Sequence, residues 1–175
     1  DAAVAALAPG VPNRETHFAA SRVIFDGLKD LGIFKGDTEE ALAAGAHALV
    51  YPHGIGHMMG LDIHDMENLG EFRVGYNGEP KSSQFGLKSL RLARELEPGF
   101  VLTIEPGIYF IPQLIDRWRA EGKLNDFIDY QKVESYRDFG GIRIEDDVLV
   151  TEEGSRVLGP PIPKTIDEVQ GLASA

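Results

Sequence analysis

Apolar residues Phe18, Val23, Ile24, Phe25, Leu28 and Leu31 recur at helical spacing, so a helix is predicted from Asn13, a residue able to cap it, to the stop at Gly32. Asp37 followed three residues later by Glu40 has the form of a capping box and predicts a second, short helix ending near Gly45. The apolar run Ala48, Leu49, Val50, Tyr51, halted by Pro52, is expected to be a strand feeding the segment after it. Residues 70–86 turn to Gly, Asn, Pro, Ser and charge, the signature of a loop. The β-branched and aromatic run at 100–104 follows Pro98 and Gly99 and reads as a strand, with Tyr109 and Phe110 as its extension. Residues 114–136 are mixed and charged and are read as a helical excursion. Gly140 and Gly141 open a second strand over 142–150, closed by a turn at Glu152, Glu153 and Gly154, and the proline-rich stretch 159–163 excludes regular structure there. The first seven residues, without an initial Met, resemble the tail of a helix already under way, as expected for part of a longer protein.

At 175 residues and 43% hydrophobic content, the chain is long enough for one domain with a substantial core. No repeat or internal boundary divides it. A formal net charge of −11 and the lack of any basic run argue against a nucleic-acid surface. No apolar stretch approaches the roughly twenty residues needed to cross a bilayer. With no cysteine, disulfides and thiolate ligation are excluded, and any metal must be held by imidazole nitrogen and carboxylate oxygen.

Three of the five histidines, His53, His57 and His64, fall within twelve residues interleaved with glycines. His53 and His57 have the spacing of a helical zinc motif, but Gly54 stands where its glutamate would be, and Gly56 and Gly60 would each weaken a helix by about 1 kcal/mol. A glycine-rich turn leading into an extended segment is expected instead, with the histidines in different roles. Taken singly, each could be an ordinary loop or core histidine. Two carboxylates change that weighting, because Glu105 and Glu145 each sit inside an otherwise apolar run, where an unpaired charge is costly. Strand alternation puts Val101, Thr103 and Glu105 on one face, and Arg143, Glu145 and Asp147 opposite Ile142, Ile144 and Val148. If the sheet brings Glu105 and Glu145 together, their repulsion is relieved by a cation between them. The competing reading is a solvated face with an Arg143–Glu145 ion pair. Asp138, Phe139 and Gly140 match a kinase triplet without the accompanying motifs, and no G-x-S-x-G elbow is present, so both classes are set aside.

The residues from His53 to Asp65, from Thr103 to Tyr109 and from Gly141 to Val150 together resemble the C-terminal half of the pita-bread metallopeptidases, which include prolidase, aminopeptidase P, methionine aminopeptidase and creatinase. The segment 86–91 with Pro98, Gly99 and Thr103 to Phe110 is most similar to the prolidase (Xaa-Pro dipeptidase) and aminopeptidase P branch. The resemblance implies an α+β fold, a curved antiparallel sheet flanked by helices, with residues 1–175 as the C-terminal portion of a catalytic domain whose N-terminal part is missing. It also implies hydrolysis of Xaa-Pro bonds by two divalent ions held by two Asp, one His and two Glu. By resemblance His57, Glu105 and Glu145 are metal ligands, Glu145 bridging, and Glu105 also handles the proton. His53 and His64 contact the substrate and stabilise the intermediate. Arg143 lies near the substrate, and Arg91 grips its terminal carboxylate.

Manganese is the ion the family implies, with cobalt, zinc or iron as alternatives. The implied partner is a peptide with proline second, acted on by a cytoplasmic enzyme, with a homodimer as a further implication and neither nucleic acid nor membrane involved. The two aspartates have no match in this chain, so the isolated chain is expected to hold one ion weakly or none and to be inactive. The alternatives are a non-catalytic peptide- or protein-binding module of the same fold, and a creatinase-like amidinohydrolase.

Overall fold

The computed structural model describes residues 1–173. A short helix, α1 (Ala2–Ala5), leads to the long α2 (Asn13–Asp30). Asn13 does not cap α2. Pro12 holds the N-cap position, and the buried Asn13 amide instead donates to the Leu92 carbonyl at 3.1 Å while its backbone N–H donates to Arg94 at 2.9 Å. The residue therefore ties α2 to the segment 92–94. The inner face of α2 is also more polar than the apolar stripe suggested. Thr16, His17 and Ser21 are buried with Phe25 and Leu28, whereas Val23 and Leu31 stand exposed.

Helix α3 (Thr38–Ala44) begins and ends as predicted, with the Asp37 carboxylate accepting the Glu40 N–H at 3.0 Å. Gly45 closes it in the left-handed region at φ 85°, which glycine adopts without Cβ strain. The expected strand at 48–51 is absent. A 3-10 turn, Ala46–Leu49, takes its place, and the N–H groups of Val50 and Tyr51 both return to the His47 carbonyl. A short, fully buried apolar run carries no periodicity that separates strand from helix, and here local turn bonds won. Within the expected loop at 70–86, α4 (Glu71–Val74) forms one helical turn, and Tyr76 is buried with its hydroxyl donating to the Leu90 carbonyl at 2.6 Å.

The two predicted strands are each broken into two. β1 (Val101–Ile104) and β2 (Gly107–Tyr109) come from the first, and β3 (Gly141–Arg143) and β4 (Asp146–Val150) from the second. The charged stretch between them folds as α5 (Pro112–Ala120) and α6 (Tyr130–Glu134). After the turn at 152–154, β5 (Ser155–Val157) pairs back on β4, and α7 (Ile166–Ala173) follows the irregular proline stretch. The main sheet has the order β1-β4-β5, all antiparallel, with Ile104 opposite Asp146, and β2 pairs with β3 so that Gly107 faces Arg143.

Both breaks fall at the same level of the ladder, where the Ile144 N–H reaches the Pro106 carbonyl at 3.3 Å. Pro106 has no N–H to give, so the pairing is interrupted beside Glu105 and opposite Ile144 and Glu145. The predicted alternation holds over 146–150 and fails at Ile142. Val148 and Val150 point into the core with Asp146, while Ile142 is exposed. Asp146 is compensated by Lys164, whose ammonium lies 2.5 Å from its carboxylate.

One part of the core gathers Phe25 stacked on Phe34, with Leu49, Ile115, Trp118 and Val133. The other gathers Tyr51, Ile55, Leu90, Leu92, Leu102 and Val148 beneath the main sheet. His17 and His47 are fully buried between them, ring centres 5.8 Å apart, and their ring nitrogens find no protein partner. Burial, and then the nearby His47 and His53, push the His17 pKa down to about 3; burial pushes His47 down to about 4.

The unfolded chain takes up protons on these rings below about pH 6.5, and the folded chain does so only below about 3 to 4. Acidification through that window therefore favours unfolding. Urea unfolding should show a loss of roughly 2 kcal/mol between pH 6 and pH 5 from these two groups, and His47→Leu should flatten the profile.

Candidate metal centre

The segment 55–59 runs antiparallel along the free edge of β1, with the Glu105 N–H donating to Ile55 at 2.7 Å, Thr103 to His57 at 3.0 Å and Met59 to Val101 at 2.9 Å. The glycine-rich turn therefore leads into an extended segment, not a helix. Gly56 makes this pairing possible, since a Cβ there would lie 1.8 Å from the Thr103 carbonyl oxygen. β1 is thus flanked by His57 on one side and by β4 on the other.

The result is a cluster in which His57, Glu105 and Glu145 each offer a ligand atom within 4.8 Å of the others. His57 Nε2 lies 3.6 Å from Glu105 Oε1. His57 Nδ1 is 3.0 Å from the Met58 carbonyl, which selects the tautomer donating from Nδ1 and leaves the Nε2 lone pair facing the carboxylates. Thr103 Oγ1 accepts the His57 N–H at 3.1 Å and donates to Glu105 Oε1 at 3.3 Å, locking the two residues together. Arg143 Nη1 sits 3.0 Å from Glu105 Oε2, and its Nε donates to the Tyr109 hydroxyl at 2.8 Å. Arg143 thus pairs with Glu105, not with Glu145 as the solvated-face reading required. One imidazole nitrogen and two carboxylates suit a divalent ion that prefers nitrogen and oxygen donors.

His53, His57, His64, Arg91, Glu105 and Arg143 line one cavity of about 260 Å³, and Glu145 sits exposed beside it. His53 Nδ1 is 2.8 Å from the Gly54 carbonyl while its Nε2 is buried without a protein partner. Burial lowers the His53 pKa, as does Arg143, against the opposing effects of the Gly54 carbonyl and Glu105. His64 lies edge-on to His57, ring centres 4.2 Å apart, and its Nδ1 accepts from Arg91 at 3.0 Å. Arg91 also donates to both oxygens of Glu67, at 2.9 and 2.7 Å. A larger cleft of about 890 Å³ between Pro12, Tyr76 and Leu96 contains none of these groups. The sequence reading overlooked Tyr51, Tyr109 and Glu67 as site neighbours. Tyr109 was detectable from its place on the strand after Glu105, whereas Glu67 lies in a segment without periodicity.

An interrupted antiparallel sheet that presents one histidine and two glutamates to a common point defines an α+β fold with a candidate metal centre. The sequence matches Metallopeptidase family M24 over residues 1–152. The chain belongs to that family. It is 38% identical over 169 residues to the Xaa-Pro dipeptidase of Homo sapiens, which covers 97% of this chain and 33% of that protein. It is 40% identical over 153 residues to the Xaa-Pro dipeptidase of Xanthomonas axonopodis, covering 87% of this chain and 34% of that protein. Among solved structures it resembles the Pseudomonas aeruginosa aminopeptidase PepP, with a TM-score of 0.70 and 38% identity over 99% of this chain and 31% of that one. Proline aminopeptidase P II from Yersinia pestis gives 0.68 and 32%, over 99% and 32%. The chain therefore spans about a third of the length of the relatives it matches.

Gly56→Ala should break the contact between the histidine segment and β1. Calorimetry should show a loss of at least about 1–3 kcal/mol of stability, accompanied by loss of the His57 to Glu105 proximity as read by side-chain NMR.

Proposed function

We propose that this chain is the C-terminal portion of the catalytic domain of a metal-dependent peptidase that cleaves Xaa-Pro bonds. The observation that carries the proposal is the convergence of His57, Glu105 and Glu145 on one point. Family membership and the names of the relatives support it. In this reading those three residues are metal ligands, and two aspartates from a preceding segment complete a centre for two divalent ions, manganese being the first candidate. Ions held there would polarise the scissile carbonyl and lower the pKa of a nearby water.

The chain's own residues supply the rest. Glu105, steadied by Arg143 and Thr103, takes a proton from the attacking water and returns it to the leaving nitrogen. His64, whose Nδ1 accepts from Arg91, keeps its proton on Nε2 and can donate to the developing oxyanion. His53 differs. Its Nδ1 proton is directed at the Gly54 carbonyl and burial favours the neutral ring, so its Nε2 carries no proton to donate to the carbonyl. Arg91 faces the same cavity as an anchor for a terminal carboxylate. A cytoplasmic setting and a homodimer belong to the same proposal. Among the described residues no helix is long and apolar enough to cross a membrane.

The test compares Xaa-Pro dipeptide hydrolysis by this chain with that by a protein extended upstream to the relatives' full length, both with manganese. Turnover is expected from the extended protein and only a background rate from the chain alone. Absence of turnover in the extended protein would overturn the activity, and equal turnover would overturn the need for further ligands. In the extended protein Glu105→Gln should lower kcat by about 10²–10⁴-fold, with a much smaller change in KM.

A further inference from the structure

Arg91 does not stand free in the cavity. Its Nη1 donates to Glu67 Oε1 at 2.9 Å and Oε2 at 2.7 Å, and to His64 Nδ1 at 3.0 Å. Glu67 thus holds the guanidinium as a ligand carboxylate would. It is carried by the 3-10 turn Glu67–Leu69, directly after Met66, which sits in the left-handed region at φ 58°. The flanking Leu61, Ile63 and Leu69 are exposed, so few core contacts hold this segment in place.

We propose that Glu67 is a built-in carboxylate that occupies Arg91 in the peptide-free molecule and so sets how strongly the site selects peptides ending in a free carboxylate at proline. The inference rests on the reading of Arg91 as a carboxylate anchor. A dipeptide ending in proline must displace Glu67 before it reaches the guanidinium, whereas a C-terminal amide makes no such demand. Only the fraction of molecules with Arg91 released binds the dipeptide tightly, which weakens its apparent affinity by that fraction. The pair is partly exposed, with side chains 40% and 25% accessible. Pairs of this kind contribute up to about 1 kcal/mol, which corresponds to about fivefold in affinity.

Two measurements test this with Glu67→Gln, which keeps a polar neighbour for Arg91 but removes the competing charge. In the extended protein with manganese, the KM for a Xaa-Pro dipeptide should fall about fivefold, with kcat unchanged and the C-terminal amide of the same dipeptide altered less than twofold. Equal changes for dipeptide and amide, or a rise in the dipeptide KM, would show a merely structural Glu67 and overturn the proposal. In the 175-residue chain, glycyl-proline is titrated while the Arg91 side-chain N–H resonance is followed by NMR. Half-saturation should come at about fivefold lower concentration in the variant.

Identical titrations of the two chains, or no movement of the Arg91 resonance in either, would overturn the proposal whatever the enzyme assay gives. The expected difference in titration, together with no hydrolysis by the extended protein, would retain Glu67 as the gate of a carboxylate-binding site and discard the peptidase reading.

Discussion

The placement of β1 between two antiparallel neighbours is the constraint on which the rest of the site depends. On one edge the segment 55–59 delivers His57, on the other β4 delivers the residues around Glu145, and Glu105 follows directly on the end of β1. Three residues far apart in sequence reach a common point because two ladders share one strand. The interruption at Pro106 matters as much as the pairing. Strand alternation keeps Glu105 and Glu145 off the face that carries Leu102, Val148 and Val150 into the core, and the break divides the pairing into two ladders at the level where the two glutamates stand.

The electrostatics of the cluster follow from that geometry. Two carboxylates brought within 4.8 Å repel in a partly desolvated setting. Arg143 relieves this from one side and Thr103 orients one oxygen, so part of the compensation is already built from protein groups. The rings of His17 on α2 and His47 in the 3-10 turn after α3 stay neutral because burial opposes charging of either.

Much of the local structure was legible. The Asp37 cap, the Gly45 stop, the turn at 152–154 and the extended character of the histidine segment follow from side-chain chemistry within a few residues. Where local signals misled, the cause differed from element to element. Asn13 has the residue type of an N-cap, yet the Leu92 carbonyl claims its amide. Residues 48–51 have strand composition, yet the N–H groups of Val50 and Tyr51 return to the His47 carbonyl and close a local turn. Ile142 fits an apolar alternation, yet it lies beyond the break, in the separate β2-β3 ladder, and stays exposed.

The site divides along the same line. Residue types and spacing nominated His53, His57, His64, Glu105 and Glu145, because a run of histidines among glycines and acids inside apolar strands are anomalies that folding must compensate, while Arg91 and Arg143 entered through the family resemblance. Which of them meet, which nitrogen each histidine presents and that Arg143 clamps Glu105 were decided by tertiary packing. So was the contact of Glu67 with Arg91, made across 24 residues by a segment with no periodic signal. Hydrogen-bond partners distant in sequence choose tautomers and ion pairs, and a linear pattern records which groups are available without recording which of them will be neighbours.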